Sequence, residues 1–596
     1  MNLLNKIKNI LNKCKYEYIF LFVALPWGLI QVFLMPPFQV PDEPVHFYRA
    51  WGISNIQLAC DNNNQISIPN NIIELENIFD VQKIARGLFS PSIIENNLNG
   101  TVSAQSQKIY SSACPYNPEG YIPQALGISF SRLLHFSPLE IFYAGRLFNL
   151  IFTLLLIFFA IKITPIGKTI FIMLSLLPMS IHQFASYSND ALTIGGLFLF
   201  TAIILYFSKQ KQLSNNNLIL ISIGSLLLTQ IKPGYFVFLI LLLFLKPSQF
   251  KKIKSYISFL LLIVSLNLLL LFILNILNNP DFILKPPGIT VNYYEQIIYI
   301  IFHPIQYAYI LIKDVFLNSL YIKQLIGILG PLIILQFPNI FYIIVLIASS
   351  VFIIVKNEED SFTLTKKQRL VILLAFIIQV TLISTILYIT YTSPKSNIIN
   401  GLQGRYFIAP VLLLIFSAYG LFNIKSKILL KIFTLIFSFG LFFYSVYTIY
   451  TYYYEKEHLI IKPTGNEVIF NPLTDLNTQF NNLTVINEIT LNSKKDSNII
   501  IKIPANATGI SWKSTAKNIS WIPPKLGFVR VYYNTNNQKE EFSNKIADWI
   551  PLENNNEFFI NLFLLKKQIN NKIYSIMIIP TNSEENFKML DFKIYY

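Results

Sequence analysis

Residues 17–52 begin with the apolar run EYIFLFVALPWGLIQVFLM and continue with PPFQVPDEPVHFYRAWG. The apolar run has about the length that a helix needs to cross a bilayer, roughly 20 residues. Lysines precede it at positions 6, 8, 13 and 15, and such lysines collect on the cytoplasmic side of a membrane. No small-residue cleavage site follows, so the run is not a cleaved signal peptide. We therefore predict a first membrane span with a cytoplasmic N-terminus.

The composition extends this prediction to most of the chain. The 596 residues are 53% hydrophobic and 13% charged, whereas soluble domains carry about 25% charged residues. A single core stops growing near roughly 250–300 residues, so the bilayer must solvate much of this apolar surface. The apolar runs predict an all-α polytopic membrane domain of about eleven transmembrane helices. These runs are 17–35, 147–163, 169–185, 191–207, 217–230, 233–247, 256–278, 327–355, 370–392, 406–424 and 430–452.

The loops between these runs indicate their orientation. The loops predicted inside are basic or contain basic clusters: 162–168, 208–216, 246–256, 356–369 and 423–431. Two loops predicted outside, 186–190 and 393–404, are nearly free of lysine. This alternation places the C-terminus outside the cytoplasm. It also accounts for the net charge of +16 as membrane topology, so we expect no nucleic-acid partner.

Two regions leave the span count open. The runs 217–230 and 233–247 are short, and they could form one broken helix instead of two spans. The segment 296–318, QIIYIIFHPIQYAYILIKDVFLN, could also be read as a span, but counting it would invert every later loop. We therefore predict that this segment lies on the outer membrane surface.

Two parts of the chain are predicted to lie outside the bilayer. The transmembrane domain, residues 1–452, includes a large first outer loop at 36–146. Residues 453–596 alternate polar and apolar residues in stretches such as FVRVYYN and NKIYSIMII, separated by turn clusters such as YNTNNQ. This pattern is typical of short strands. We predict a C-terminal extracytoplasmic β-sandwich-like domain, which could bind glycan.

The cysteine positions follow the same topology. Cys60 and Cys114 fall in the first outer loop, whereas Cys14 falls inside. Because the outer compartment is oxidising, we predict a disulfide between Cys60 and Cys114, with two free thiols as the alternative.

The densest cluster of polar side chains follows the first span. Asp42 and Glu43 come after prolines where a second helix begins, and His46 lies one helical turn further on. In one interpretation Asp42 caps this helix and Glu43 complements its dipole. In the other, a carboxylate at the lipid–water boundary takes a proton from an attacking hydroxyl. The three side chains could also bind a divalent cation such as Mg²⁺ or Mn²⁺.

A second cluster, PMSIHQFASYSND, contains His182 and Asp190. Polar side chains within a span are costly and often functional, so both residues are candidate substrate contacts. The structural alternative is that His182 forms a hydrogen bond between helices and that Asp190 lies at a helix cap.

Basic residues at predicted outer membrane edges are the third signal. Arg146, Lys232 and Arg405 all lie on the side where basic residues are disfavoured. They either extend towards lipid headgroups or bind a phosphate, for which arginine is well shaped. Arg405 lies in QGRY, where Gln403 is a further candidate contact and the glycines would let backbone approach a ligand.

The sequence contains, in this order, the segments PPFQVPDEPVHFYRAW, YIPQALG, GRLFNL, LPMSIHQFASYSNDAL, KPGYF and QGRYFIAP. Together these six segments resemble a bacterial membrane family catalogued as domain of unknown function 2142. Its members look like GT-C-type glycosyltransferases of envelope-polysaccharide pathways. The resemblance covers roughly residues 15–450 and leaves out the C-terminal domain.

The resemblance implies a GT-C-like fold in the bacterial inner membrane and a donor sugar carried on a polyprenyl phosphate. An acidic residue of the first outer loop would be the base, and Asp42 matches that position with Glu43 beside it. Arg405 would contact phosphate by analogy. Fold and family do not fix the substrate.

We therefore predict a membrane glycosyltransferase that acts on an envelope glycan or polymer at the outer face. Asp42 would be the base, Glu43 would position the acceptor or a metal, and Arg405 with Arg146 or Lys232 would hold the leaving phosphate. Expected partners are membrane lipid, a polyprenyl-phosphate-linked sugar and a glycan acceptor. The alternatives are a carrier or flippase for a lipid-linked saccharide, which predicts a site at the membrane midplane, and a non-catalytic envelope assembly protein.

Overall fold

The structure is a computed structural model that describes residues 13–277 and 291–455, apart from 62, 80–83, 85–90, 331–334 and 423, together with strands between 467 and 595. The first two ranges are mostly helical. The α-helices are α1 Tyr16–Leu34, α2 Glu43–Ser54, α3 Asn70–Ile78, α4 Pro91–Asn96, α5 Ile122–Leu133, α6 Pro138–Ile163, α7 Lys168–Ser175, α8 Pro178–Phe184, α9 Asp190–Ser208, α10 Asn215–Ile231, α11 Ile253–Leu277, α12 Tyr293–Phe302, α13 Pro304–Leu311, α14 Ser319–Gly327, α15 Asn339–Ile354, α16 Lys366–Thr390, α17 Ile408–Ala418 and α18 Ile428–Tyr450.

Among the described residues, six helices are long and apolar enough to cross a membrane: α1, α6, α9, α11, α16 and α18. Shorter apolar helices follow at Pro233–Phe244, Asn339–Ile354 and Gly404–Ala418. The chain is thus a helical membrane protein, and the count of eleven spans stays a prediction.

Three of the predicted spans differ most from the helices of the structure. Helix α6 starts at Pro138, well before residue 147, because Ser137 and Glu140 form a capping box at its N-terminus. The run 169–185 is divided into α7 and α8, since Pro178 opens a new helix. In the described part of the run 327–355, Gly327 ends α14 and residues 339–354 form α15, with the paired strands β3 Ile328–Leu329 and β4 Leu335–Gln336 between these two helices.

The five basic loops predicted inside are linked by direct contacts at one end of the helices. Lys209 Nζ donates to Ser361 Oγ at 2.8 Å, and Ser361 N donates to Pro165 O at 3.0 Å. Lys427 Nζ lies 2.7 Å from Glu359 Oε1. Leu213 N donates to Gln249 O at 3.1 Å. The loops are therefore sorted as the charge alternation predicts.

The two short segments near residue 232 each run between the two ends of the helices. Helix α10 starts beside these basic loops, and Lys232 at its other end contacts Asp190. The 3₁₀ helix Pro233–Phe244 then returns to Gln249. At roughly 2 Å per residue, such a 3₁₀ helix is about 24 Å long. Each segment thus extends from one end of the helices to the other, and their count as two membrane spans stays a prediction.

Helices α12, α13 and α14 have an exposed apolar face, as a segment on a membrane surface would. Buried polar side chains on α12, on α14 and on the turn 312–316 between α13 and α14 bind the loop 393–404. Gln296 Oε1 accepts from Lys395 N at 2.9 Å, Asp314 Oδ2 accepts from Ile399 N at 2.7 Å, and Gln324 Oε1 accepts from Gly404 N at 2.8 Å. This segment therefore fixes the loop that leads to Arg405.

The first loop, between α1 and α6, is cross-linked. Strands β1 Gln65–Pro69 and β2 Ser106–Tyr110 pair antiparallel. Cys60 and Cys114 form a disulfide with their Cα atoms 5.8 Å apart. Arg49 on α2 donates to Leu58 O at 2.7 Å and to Tyr116 O at 3.1 Å, so this loop is held against α2.

The C-terminal region contains β7 Glu467–Ile469, β8 Thr478–Asn487, β9 Thr490–Lys502, β10 Gly509–Ala516, β11 Val529–Asn534, β12 Asn544–Trp549, β13 Asn556–Asn561, β14 Ser575–Ile579 and β15 Asn586–Tyr595. They form one nine-stranded antiparallel sheet with the path β12-β11-β14-β9-β15-β10-β13, to which β7 and β8 add at β15 and β9. The sandwich arrangement stays a prediction, and residues 453–596 between these strands lie mostly outside the described residues. The parallel pair β5 Val355–Lys356 and β6 Ile424–Lys425 belongs to the basic end.

Candidate functional site

The site begins at the corner between α1 and α2. Asp42 lies at the N-cap position of α2 but makes no side-chain cap hydrogen bond. Its φ is +61°, a left-handed conformation that Asp and Asn tolerate better than most residues. The capping interpretation of Asp42 is therefore wrong. Its carboxylate is directed elsewhere and is half exposed.

Glu43 has a different environment from its neighbour. Both oxygens of its carboxylate accept from Arg146, Oε1 from Nε at 2.8 Å and Oε2 from Nη2 at 2.6 Å. Tyr187 N also donates to Oε1, at 3.2 Å. Glu43 and Arg146 are both fully buried. In this structure Glu43 is thus unavailable to an acceptor or a metal, and the catalytic role predicted for it is not supported.

Arg146 uses every N–H of its guanidinium inside the protein. Besides the two bonds to Glu43, its Nη atoms donate to the carbonyls of Val32, Met35 and Pro36, at 2.9, 2.7 and 3.1 Å. Val32 lies in the last turn of α1 and Met35 directly follows it, where helical carbonyls lack partners. Arg146 lies inside α6 rather than at its start. In this structure Arg146 therefore fixes the α1–α2 corner, and its guanidinium has no N–H left for the predicted phosphate contact.

Asp42 is paired with Arg405, from a position more than 360 residues further along the chain. Arg405 Nη2 donates to Asp42 Oδ2 at 2.5 Å. The guanidinium is buried and also donates from Nη1 to Pro41 O and to Gln183 Oε1, both at 3.3 Å. The predicted base and the predicted phosphate contact therefore meet, and they are bonded to each other.

Asp190 and Lys232 complete the charged set. Asp190 Oδ2 lies 3.3 Å from Arg405 Nε, and Asp190 Oδ1 accepts from Lys232 Nζ. Asp190 lies in the first turn of α9 and Lys232 directly follows α10. Two carboxylates and two cationic side chains thus form one network. Asp190, Lys232 and Arg405 are mostly buried, whereas Asp42 is half exposed.

His46 lies beside this network on α2. Its Nδ1 is hydrogen-bonded to the Tyr121 hydroxyl at 2.7 Å. Burial lowers the pKa of His46 to about 4, although the nearby Asp42 carboxylate acts in the opposite direction. Burial raises the pKa of Tyr121 well above its usual value. Both groups are therefore neutral near pH 7, and His46 is a hydrogen-bonding partner rather than a charge.

In the described part of the chain, two further predicted contacts make no hydrogen bond or ion pair with the four charged residues. His182 is fully buried and its Nδ1 lies 3.2 Å from Gln31 Nε2 on α1, which is the interhelical bond left open as an alternative. Gln403 keeps a buried Oε1 without a hydrogen-bond partner in the described part of the chain. Gly404 is needed for packing, not for ligand approach, because a Cβ there would lie 2.1 Å from Tyr321 O.

The residues proposed for a metal do not gather around a common point. Glu43 is committed to Arg146 and His46 Nδ1 to Tyr121. Within the described residues, no group of three or more His, Cys, Asp or Glu side chains could hold a metal ion. These residues therefore do not fit a Mg²⁺ or Mn²⁺ site.

Tyrosines surround the network, and the sequence analysis did not single them out. Lys232 Nζ lies 4.6 Å and Arg405 Cζ 5.3 Å from the Tyr406 ring centroid. The Tyr116 and Tyr121 rings lie 6.0 and 5.7 Å from the His46 ring. Tyr406 and Tyr121 fall within the quoted segments QGRY and YIPQALG. Their position in these segments is the sequence feature that could have identified them as site residues.

An apolar cavity of about 340 Å³ lies elsewhere, between α1, α4 and α6. Its lining includes Phe33, Ile94 and Tyr143 but none of the four charged residues of the network. The cavity is therefore separate from the candidate site.

The fold and the network together define a multi-span membrane protein with a charged site at the helix ends opposite the basic loops. The profile of a family described as a predicted membrane protein, DUF2142, matches residues 25–415. The chain therefore belongs to the DUF2142 family of predicted membrane proteins. No curated protein and no solved structure matches it.

Proposed function

We propose that this protein is a membrane glycosyltransferase that moves a sugar from a polyprenyl-phosphate-type lipid to a glycan or polymer acceptor at the outer membrane face. One observation carries the proposal: the half-exposed carboxylate of Asp42 meets the buried guanidinium of Arg405, beside Lys232. A hydroxyl acceptor needs a base, and a phosphate leaving group needs cations. This network supplies both within one site.

The position of the network supports a lipid-borne substrate. Asp42 follows α1, Asp190 starts α9, Lys232 follows α10 and Arg405 precedes α17. These are ends of apolar helices, where a phosphate headgroup lies when its lipid tail is in the bilayer. The basic loops gather at the opposite ends, which supports an extracytoplasmic location for the site in the bacterial inner membrane.

The proposed reaction assigns one task to each side chain. Asp42 takes the proton from the acceptor hydroxyl as its oxygen bonds to the anomeric carbon of the donor sugar. The bond between that carbon and the phosphate oxygen breaks, and its electrons leave with the polyprenyl phosphate. Arg405 and Lys232 stabilise the charge that develops on this phosphate. Asp190 holds both cations in place.

A carrier or flippase for a lipid-linked saccharide is the other function considered. A carrier would hold its substrate at the midplane, between broken helices. The network lies at helix ends instead, which favours the enzyme. Purified protein distinguishes the two, since a carrier forms no new glycosidic bond.

The test is a transfer assay on the full-length protein in lipid nanodiscs, with a polyprenyl-phosphate-linked sugar and candidate acceptors. Asp42→Asn should lower turnover by about a hundred- to ten-thousand-fold, because the base is lost. Asp61→Asn is the matched control, since Asp61 is a carboxylate paired with a lysine in the same loop. Normal transfer by the Asp42 variant would refute the assignment of the base.

A further inference from the structure

The proposed reaction needs Asp42 as a base and Arg405 as a phosphate contact, but these two side chains are hydrogen-bonded to each other. Arg405 Nη2 donates to Asp42 Oδ2 at 2.5 Å. While this pair is closed, Asp42 has an oxygen engaged by the guanidinium and Arg405 has a donor engaged by the carboxylate. Neither group can then do its full task, so the pair must open during turnover.

The two partners are not equally fixed. The Arg405 side chain is 2% exposed, and its Nη1 donates to Pro41 O and to Gln183 Oε1. Its Nε lies 3.3 Å from Asp190 Oδ2, an ion-pair contact without hydrogen-bond geometry. The Asp42 side chain is 51% exposed, and Arg405 is its sole side-chain partner among the described residues. Asp42 is therefore the partner that can leave, and its departure opens the Nη2 side of Arg405.

The charges of the network favour a phosphate that replaces Asp42 on Arg405 over a phosphate that binds beside the intact Asp42–Arg405 pair. Asp42 and Asp190 balance Lys232 and Arg405, so the resting set is neutral. A phosphate that joined the closed set would place another negative charge against Asp42, and like charges at such close range repel. A phosphate that replaces Asp42 keeps the balance and can accept hydrogen bonds from the guanidinium fork.

We propose that the Asp42 carboxylate occupies the phosphate position on Arg405 in the free protein, and that the substrate phosphate displaces it. The ligand class is a phosphate ester, and the displaced carboxylate becomes free to accept the proton of a hydroxyl. Donor binding would thus release the base at the moment when the donor is in place. The release of the base rests on the proposed function, whereas the exchange of anions on Arg405 is a binding event that is measured without transfer.

If the exchange occurs, removal of the Asp42 charge should strengthen phosphate binding, whereas removal of a residue that binds phosphate would weaken it. Asp42→Asn should tighten phosphate binding by about fivefold, because it removes a competing anion from a partly exposed ion pair. Asn is the suitable replacement, since Asp42 has a φ of +61° that Asn tolerates. Arg405→Gln should abolish the tightening, because it removes the donor for which the two anions compete.

The measurement is equilibrium binding of a polyprenyl phosphate to the full-length protein in nanodiscs, at constant ionic strength. Uncharged polyprenol is the control for tail binding, and Asp61→Asn is the control for loss of one loop carboxylate. Inorganic phosphate is titrated in parallel. Tightening of the lipid phosphate alone identifies a lipid headgroup as the ligand, whereas equal tightening of both identifies phosphate without regard to its tail.

Unchanged or weaker phosphate binding by the folded Asp42→Asn protein would overturn the exchange. So would equal tightening by Asp61→Asn, which would indicate a general charge effect. The proposed function fails separately, if wild-type protein transfers no sugar from any polyprenyl-phosphate donor. Tighter binding without transfer would support the exchange and reject the enzyme, and transfer without tighter binding would do the reverse.

Discussion

Replacing Glu43 with Gln should destabilise the protein, whereas replacing Asp42 with Asn should not. Glu43 and Arg146 are both fully buried and joined by two short hydrogen bonds. Removal of one charge from such a pair leaves the other buried without compensation. The expected loss is about 3–5 kcal/mol of unfolding free energy. Asp42 is half exposed, so loss of its charge should cost no more than about 1 kcal/mol.

Arg146 offers a stronger version of the same test. Arg146→Gln removes the bonds to Glu43 and also those to the carbonyls of Val32, Met35 and Pro36. Buried carbonyls that lose their donors add a cost of about 1–3 kcal/mol each. We therefore expect Arg146→Gln to be more destabilising than Glu43→Gln, and to accumulate poorly in the membrane.

Thermal unfolding of purified protein in detergent, followed by intrinsic fluorescence, is the appropriate assay. Glu43→Gln should lower the midpoint by roughly 5–10 °C, while Asp61→Asn should leave it nearly unchanged. Transfer activity per folded molecule should survive Glu43→Gln at low temperature. If Glu43→Gln keeps the wild-type midpoint but loses transfer, the structural role is refuted and Glu43 is the catalytic carboxylate.

Three further predictions concern pH, redox state and topology. The pKa of His46 is lowered to about 4 in the folded protein from about 6.5 in the unfolded chain. The free energy of unfolding should therefore fall by up to about 3 kcal/mol as pH drops from 6.5 to 4. In thermal melts, His46→Gln should flatten this pH dependence. Reduction of the Cys60–Cys114 disulfide, which closes a loop with a sequence separation of 54, should cost roughly 4 kcal/mol, and a melt with and without reductant measures it. A reporter fused after residue 460 should report an extracytoplasmic location, and a cytoplasmic signal would overturn the assigned face of the site.

The sequence predicted the membrane class and the sorting of the loops. Both follow from local composition: apolar runs need lipid as solvent, and lysine clusters mark one side. The contact between Ser361 and Lys209 at the basic end, and that between Asp42 and Arg405 at the other, agree with this sorting. The predicted site residues Asp42, Asp190 and Arg405 also meet, because all three lie at ends of helices on the same side.

The sequence did not predict the roles of neighbouring residues. Asp42 and Glu43 are adjacent and chemically alike, yet one is half exposed and the other fully buried. The left-handed turn at Asp42 separates their directions. Which basic residue each acid meets depends on α6 and on the segment before α17, far away in the chain.

Local pattern thus determined that this chain is a helical membrane protein with polar groups at its helix ends. Tertiary structure alone decided that Arg146 fixes a corner, that Arg405 holds an exposed acid, and that Gly404 packs against Tyr321. The physical reason is that an ionic side chain has no fixed role until its desolvation and its partner are known. Both are set by residues more than a hundred positions away in sequence.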